Sequence, residues 1–158
     1  MNTLTEQEAL SRLAFYCSTA EHCRSEINDK LHKWGIESDA IERILNRLET
    51  EKYIDDERYC RSFVNDKFHF AKWGKMKISQ ALYQKKIPST MISEYLCNID
   101  EEQYLITLRH LLNTKSKNIR AKNSYDLKAK LIRFGISRGF EMKDIRRCID
   151  LSDMQEWE

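Results

Sequence analysis

Turn-forming and β-branched residues are scarce in this sequence. Its 158 residues include four glycines, one proline and a single valine, Val64. β-Sheets need frequent turn residues and alternating β-branched side chains, so this scarcity argues against a sheet. Leucine, isoleucine, glutamate, lysine and arginine, which are all compatible with helices, are by contrast abundant. The composition therefore predicts an all-α protein.

Long apolar segments are also absent. No run of about 18 apolar residues occurs, so we expect no membrane-spanning helix. The first residues contain Glu6 and Glu8 and no apolar signal core, which argues against secretion. The five cysteines are odd in number and widely separated, which suits a reducing compartment better than a disulfide framework. We therefore expect a cytoplasmic protein without a membrane partner.

The residue patterns of metal sites and active sites are missing as well. Cys17, His22 and Cys23 lack the paired spacing of structural zinc ligands, and buried thiols on helix faces explain them better. Asp55 and Asp56 stand at a predicted helix start, where carboxylates cap free amides. No glycine-rich phosphate loop occurs. We therefore predict no catalytic residue, metal, cofactor or small-molecule substrate.

An internal repeat organises the rest of the sequence. A shift of 51 residues superimposes five positions of one segment on the next, and a further shift of 53 reaches a third segment. The three sets are Ile27, Leu31, Ile36, Ile41 and Leu45; Ile78, Leu82, Ile87, Ile92 and Leu96; and Leu131, Gly135, Phe140, Ile145 and Ile149. Steps of four residues are helical, and the five-residue step crosses a tight turn. Each segment therefore predicts a helix–turn–helix.

A longer helix is predicted before each of these pairs. The first begins with a Thr5–Glu8 capping box, in which each side chain satisfies a free amide of the other residue. The second begins at Asp55 and Asp56, and the third begins at Asp100. In the second, the predicted apolar stripe is Tyr59, Phe63, Val64 and Phe70.

These elements predict about nine helices in three tandem three-helix repeats. The repeats span residues 1–52, 53–99 and 100–150, and a loose acidic tail is expected at 151–158. Residues 113–124 are predicted to form a long basic loop. Because a unit of this size buries little apolar surface alone, we expect the three to stack into an elongated, curved body. A monomer is expected.

Residues at the turns support this organisation. Gly35 and Gly139 stand where a helix C-terminus adopts a left-handed conformation. Lys86 replaces the glycine in the second repeat, so we expect that turn to close differently. Ser38 is predicted to cap the helix that follows the first turn, and Pro88 suits the first position of the helix after the second.

Charge is distributed unevenly along the chain. Residues 1–60 sum to −5, whereas residues 61–99 and residues 100–150 each sum to +5. The last eight residues add −3. Such polarity predicts a partner bound in one orientation, with polyanions or acidic surfaces at the basic end. Uneven solvation of helix faces is the alternative.

The candidate partner- or DNA-binding residues lie in the middle repeat. The cations from Arg58 to Lys77 are predicted to run through one long helix and the turn after it. Positions 61, 68, 72 and 75 are predicted to share a helix face, so that the cations form a stripe. Such a stripe can bind phosphates or carboxylates, although a solvated face remains the alternative. The candidate residues are Arg58, Arg61, Lys67, Lys72, Lys75, Lys77, Lys85 and Lys86.

Several aromatic residues have two interpretations. Trp34, Trp73, Tyr83 and Phe134 can serve as stacking platforms for bases. In a small helical protein, core packing or groove lining is the more frequent role of such side chains.

Four sequence segments together resemble the RecX family. Residues 24–26 (RSE), with Leu31 and Gly35 after them, resemble its first-repeat pattern. Residues 53–59 (YIDDERY), followed by Phe63 and Val64, are similar to its Y-L-D-D-x-R-F…F-V signature. Residues 74–87 resemble its G-x-x-x-I-x-x-x-L-x-x-K-G-I segment, and residues 138–145 resemble R-G-F-x-x-x-x-I. Lys86 and Gly135 depart from the family pattern, which prefers glycine and a large apolar residue there.

The resemblance implies a non-enzymatic regulator of homologous recombination and DNA repair. RecX proteins bind the RecA–single-stranded DNA filament and suppress its ATPase, strand-exchange and co-protease activities. The implied arrangement is a helical body in the filament groove, with a possible weak contact to DNA.

Two alternatives come from other classes of protein. One is a direct DNA-binding helical protein, which would bind with a steep dependence on salt concentration. The other is a helical-repeat adaptor that binds another protein.

Overall fold

The computed structural model describes the backbone of residues 4–157 and the side chains of residues 4–149. Within that part of the chain there are nine α-helices and no strand, as the composition predicts. The first repeat contains α1 (Glu6–Thr19), α2 (Arg24–Lys33) and α3 (Ser38–Thr50). The second contains α4 (Asp56–His69), α5 (Lys75–Gln84) and α6 (Ser89–Cys97). The third contains α7 (Glu101–Ser116), α8 (Ser124–Ser137) and α9 (Met142–Trp157).

The first helix of each repeat begins at a side-chain cap. In α1 the Glu8 amide donates to Thr5 Oγ1 over 3.1 Å, and the Thr5 amide donates to the Glu8 carboxylate, which completes the capping box. Asp55 accepts from the Arg58 amide and Asp100 accepts from the Gln103 amide. The prediction for Ser38 is wrong: α3 already begins at Ser38, and its cap position, Glu37, makes no side-chain capping bond.

The repeat positions form the core. Eight of the repeat positions, whose periodicity predicts burial, are each less than 5% exposed: Ile27, Leu31, Ile41, Ile78, Leu82, Ile92, Leu131 and Ile145. Phe70 is a correction, because it is 80% exposed and Phe68 fills the core instead. Phe70 is the cap residue that follows the end of α4, and its amide still donates to the Asp66 carbonyl. Gly135 is buried against Ile145, whose side chain lies so close that a Cβ atom at position 135 would overlap it.

The three helix–turn–helix connections close in the same way. Gly35, Lys86 and Gly139 all have a left-handed backbone, with φ of 76°, 62° and 96°. In each turn the next amide donates to the carbonyl five residues earlier, as Ile87 does to Leu82 over 3.2 Å. The expectation that the Lys86 turn closes differently is therefore wrong. Lysine adopts the glycine conformation here, at a steric cost.

Two chain segments differ from their predictions. The loop expected at 113–124 is shorter, because α7 continues to Ser116 and α8 begins at Ser124. The acidic tail expected at 151–158 lies largely within α9, whose backbone is helical to Trp157. The side chains of that segment lie outside the described residues.

The apolar core is divided into two clusters. One consists of first-repeat residues, such as Leu13, Ile27 and Leu48, together with Ile54 from the start of the second repeat. The other is shared by the second and third repeats, where Phe68 and Phe140 both pack on Tyr104, with ring centroids 5.7 and 5.1 Å away. Repeats 2 and 3 are thus joined through a common core. Across the described helices, none is both long and apolar enough to cross a membrane.

Candidate partner-binding surface

The predicted basic stripe does not lie on one helix. Helix α4 ends at His69, Lys72 occupies the following turn with φ of 59°, and Lys75 and Lys77 belong to α5. The shared helix face predicted for positions 61, 68, 72 and 75 is therefore wrong. The eight candidate cations instead divide into four groups with different surroundings.

Two candidates, Arg58 and Lys85, hold the first repeat against the second. Arg58 Nε lies 2.6 Å from a Glu21 carboxylate oxygen, and its guanidinium also donates to the Tyr53 carbonyl. Lys85 Nζ lies 3.1 Å from Glu26. Both cations are half-buried and paired, so their charges are largely neutralised by glutamates of the same chain.

The same joint brings the C-terminus of α5 to the N-terminus of α2. The Lys85 carbonyl accepts from the Ser25 hydroxyl over 2.5 Å, and the Arg24 amide donates to Asp56 Oδ1 over 2.8 Å. Asp55 is the residue that caps α4, whereas Asp56, predicted to cap the same helix, accepts from the first amide of α2 in the previous repeat. The negative end of the α5 dipole meets the positive end of α2, an arrangement that stabilises both.

Lys75 belongs to the joint between the second and third repeats. Its amide donates to the Tyr104 hydroxyl over 2.9 Å, and its Nζ lies 4.6 Å from the Tyr104 ring centre and 3.7 Å from Glu101. The neighbouring amides of Gly74 and Met76 donate to the carbonyls of Arg138 and Gly139. The first amides of α5 are therefore already bonded to repeat 3.

Two glycines permit this close backbone contact. A Cβ atom at position 74 would overlap the Gly139 carbonyl, and one at position 139 would overlap the Lys77 side chain. Arg138 also donates to the Ala71 carbonyl across the joint. In both joints the C-terminal turn of one middle helix packs on the N-terminus of the middle helix before it. The helices α8, α5 and α2 therefore follow one another head to tail.

Lys67 and Lys77 contact Trp73. The ammonium groups lie 4.6 Å from the centre of this indole ring in both cases, within the range of cation–π attraction. Trp73 is half-buried and meets Phe63 edge to face, with centroids 6.3 Å apart. Both interpretations of this aromatic remain, because its ring packs on the core and is bordered by cations. Tyr83 differs from the other aromatic candidates in being 73% exposed.

Arg61, Lys72 and Lys86 complete the set of candidates. All three side chains are exposed, and none forms an ion pair with another side chain in the described range 4–149. They are the members of the predicted set whose charges stay available to a partner. The residue pattern did not distinguish them from Arg58, Lys75 and Lys85, because the pairing acids come from other repeats.

The buried thiols have little chemical reactivity. Burial raises the pKa of Cys17 and of Cys60 to about 11, so both thiols stay protonated at neutral pH. Among the residues that the structure describes, no three His, Cys, Asp or Glu side chains come together as metal ligands would.

Comparison with protein families matches each repeat in turn. The model described as the first three-helix domain of RecX matches residues 9–48, that of the second domain matches 55–96, and that of the third matches 101–149. Together these models match most of the chain in the family's own order. The chain belongs to the RecX family.

RecX relatives resemble the chain over different shares of their length. The regulatory protein RecX of Chlorobium phaeobacteroides is 32% identical over 82% of this chain and 83% of its own. That of Prosthecochloris aestuarii is 27% identical over 95% of this chain and 97% of its own. Against RecX of Clostridium perfringens strain SM101, 32% identity extends over 73% of this chain, which spans only 54% of that relative.

Solved RecX structures share the fold. RecX from Lactobacillus salivarius superimposes with a TM-score of 0.84 over 94% of this chain and 97% of its own, at 21% identity. A second RecX crystal structure superimposes with a TM-score of 0.79 over 92% of this chain and 71% of its own, at 24% identity. The three-repeat architecture is therefore that of the family.

Proposed function

We propose that this RecX protein regulates homologous recombination and DNA repair by binding the RecA filament. Bound chains inhibit the filament's ATPase, strand-exchange and co-protease activities. The observation that carries the proposal is the presence of three RecX domains in order, which the two joints connect head to tail. A connected body of this kind can contact successive subunits of a helical filament at once. The chain acts without catalysis, as a cytoplasmic monomer, and takes no small-molecule substrate or cofactor.

The proposed contact surface lies on the middle repeat. Arg61, Lys72 and Lys86 supply exposed charges there, and Lys67 and Lys77 border the Trp73 ring. Water-excluding contacts at the centre of an interface contribute most of the binding free energy, whereas charges at its rim mainly alter the association rate. The middle repeat is therefore where substitutions weaken binding most.

The DNA-dependent ATPase of RecA tests this proposal. RecA is assembled on single-stranded DNA, and its rate of ATP hydrolysis is measured as the protein is added. We expect inhibition that depends on the ratio of this protein to RecA and persists when free DNA is added in excess. Inhibition that disappears with excess DNA would instead identify a competitor for DNA sites. An unchanged ATPase rate at saturating protein would contradict the proposal.

A further inference from the structure

The densest positive charge of the described chain lies outside the middle repeat. Residues 115–133 contain seven lysines and arginines and a single acidic residue, Asp126. This segment includes the end of α7, the loop 117–123 and most of α8. The cations are Lys115, Lys117, Arg120, Lys122, Lys128, Lys130 and Arg133.

The one acidic residue of the segment is already bonded. Asp126 accepts from the Lys122 amide over 3.1 Å and lies 3.2 Å from Lys130 Nζ. Lys130 also donates to the Arg120 carbonyl over 2.7 Å, and the Asn123 side chain caps α8 through the Asp126 amide. These bonds give the loop a defined shape.

Five cations of the segment retain their charge for a partner. Within the described side chains no ion pair forms at Lys117, Arg120, Lys122, Lys128 or Arg133. All except the half-buried Lys128 are exposed. This differs from the middle repeat, where Arg58, Lys75 and Lys85 are paired internally.

An exposed aromatic ring lies among these cations. Tyr125, the second residue of α8, is 83% exposed, the most exposed of the large hydrophobic side chains described. Arg120 and Lys122 precede it in the loop and Lys128 follows it within one helical turn. Burial of this tyrosine against another protein would require an apolar patch on the partner. An unpaired base instead offers a flat face on which the ring can stack, and the neighbouring cations can bind the phosphates of the same strand.

We propose that this surface of repeat 3, centred on Tyr125, binds single-stranded nucleic acid. Arg120, Lys122 and Lys117 bind backbone phosphates, and the Tyr125 ring stacks on an unpaired base. The site is separate from the proposed RecA contact and does not depend on it. Single strands are favoured over duplex because a paired base cannot present its face to the ring.

The test is fluorescence anisotropy of a labelled oligothymidylate with the full chain and without RecA, between 50 and 200 mM salt. We expect binding that weakens as salt rises and a weaker affinity for duplex of equal length. Neutralising the three loop cations (Lys117→Gln, Arg120→Gln and Lys122→Gln) should lower the affinity at least tenfold. The same variant should also reduce the slope of log affinity against log salt by about 2.

Tyr125→Ala separates stacking from charge. It should lower the affinity roughly fivefold or more without changing the salt slope, and Tyr125→Phe should bind as the parent does. The matched control neutralises three exposed cations of repeat 1 (Arg12→Gln, Lys33→Gln and Lys52→Gln) and should change affinity less than twofold. Thermal unfolding of each variant confirms that it is folded.

Four results would overturn the site. The first is an equal loss of affinity in the loop variant and the control, which would leave only net charge. The second is an affinity of Tyr125→Ala equal to that of the parent, and the third is duplex bound as tightly as single strands. The fourth is polyglutamate bound as tightly as the oligonucleotide and independently of Tyr125, which would identify an acidic protein as the partner. The RecA ATPase is measured in parallel with the loop variant. Because the site is separate from the proposed RecA contact, this variant should still inhibit RecA, so a failure of nucleic-acid binding is distinguished from a failure of the proposed function.

Discussion

Lys86 occupies a backbone conformation that costs lysine more than glycine. Its φ of 62° matches the glycines of the equivalent turns, and side-chain crowding in the left-handed region costs roughly 1–2 kcal/mol. Relief of this crowding by glycine stabilises the folded state. Glycine also increases the conformational entropy of the unfolded chain, which offsets up to about 1 kcal/mol of that stabilisation. Lys86→Gly should therefore raise the free energy of unfolding by about 0.5–1 kcal/mol, measured by urea titration. A loss of stability would show that the Lys86 side chain makes a stabilising contact.

Gly139 and Gly35 give a matched pair of substitutions at the same turn position. Both have positive φ, but a Cβ at position 139 would overlap Lys77, whereas nothing lies within 4 Å of one at position 35. Gly35→Ala should cost about 0.5–1 kcal/mol, because backbone strain of roughly 1–2 kcal/mol is partly offset by the lower conformational entropy of the unfolded chain. Gly139→Ala should cost at least about 1 kcal/mol more, because the joint between repeats 2 and 3 must open. Equal losses in thermal or urea unfolding would argue against the close backbone contact.

Predictions for single residues were confirmed where burial follows the helical period. The repeat alignment identified Ile78, Leu82 and Leu131 as core residues because burial follows the helical period. It missed the exposure of Phe70, since the end of α4 is set by local turn geometry. It also missed the left-handed Lys86, since a strained residue leaves no periodic signal.

At the scale of helices, the joint between the first two repeats depends on ionised carboxylates. Burial raises the pKa of Glu26, but the Cys23 amide and the Lys85 ammonium lower it more, so it lies below its ordinary value of 4.5. A lowered pKa in the folded state means that Glu26 stabilises the fold above about pH 4.5. That contribution disappears as the pH falls through the folded value.

Glu26→Gln should therefore flatten the acid limb of stability. We expect the parent to lose more free energy of unfolding than the variant between pH 5 and pH 3, by about 1 kcal/mol or less because both partners are partly exposed. Chemical unfolding at several pH values provides the measurement. Glu102→Gln, at an exposed position, is the control and should follow the parent. Parallel curves for parent and Glu26→Gln would contradict the assigned role.

The joints between repeats could not be derived from the sequence. Asp56 bonds the Arg24 amide from 32 residues away, and Gly74 meets Arg138 from 64 residues away in the sequence. Periodicity identifies which face of a helix is buried but not which helix end lies against another. For this reason the sequence does not distinguish Arg58, Lys75 and Lys85, which form ion pairs across the joints, from the other candidate cations.

At the scale of the whole molecule, repeat 1 differs from repeats 2 and 3 in both its net charge and its apolar core. Repeat 1 has its own core and an acidic sequence, whereas repeats 2 and 3 share a core and are basic. The sequence predicted the charge polarity directly, because charge is a sum over residues. It could not reveal the shared core, which depends on how Tyr104, Phe68 and Phe140 meet.

We propose that exposed cations of the middle repeat mediate inhibition of RecA. The variant Arg61→Glu, Lys72→Glu tests it, and Lys75 stays unchanged because it supports the joint to repeat 3. The matched control is Arg12→Glu, Lys33→Glu, which reverses two exposed cations of repeat 1. Because all four side chains are exposed, folding stability should change by less than about half a kcal/mol per substitution.

The deciding measurement is the concentration of each protein that halves the ATPase rate of RecA on single-stranded DNA at physiological salt. We predict that the middle-repeat variant requires at least tenfold more protein than the parent, which corresponds to about 1.4 kcal/mol of binding free energy. The repeat 1 control should stay within twofold of the parent. A middle-repeat variant that inhibits as well as the parent would contradict the claim.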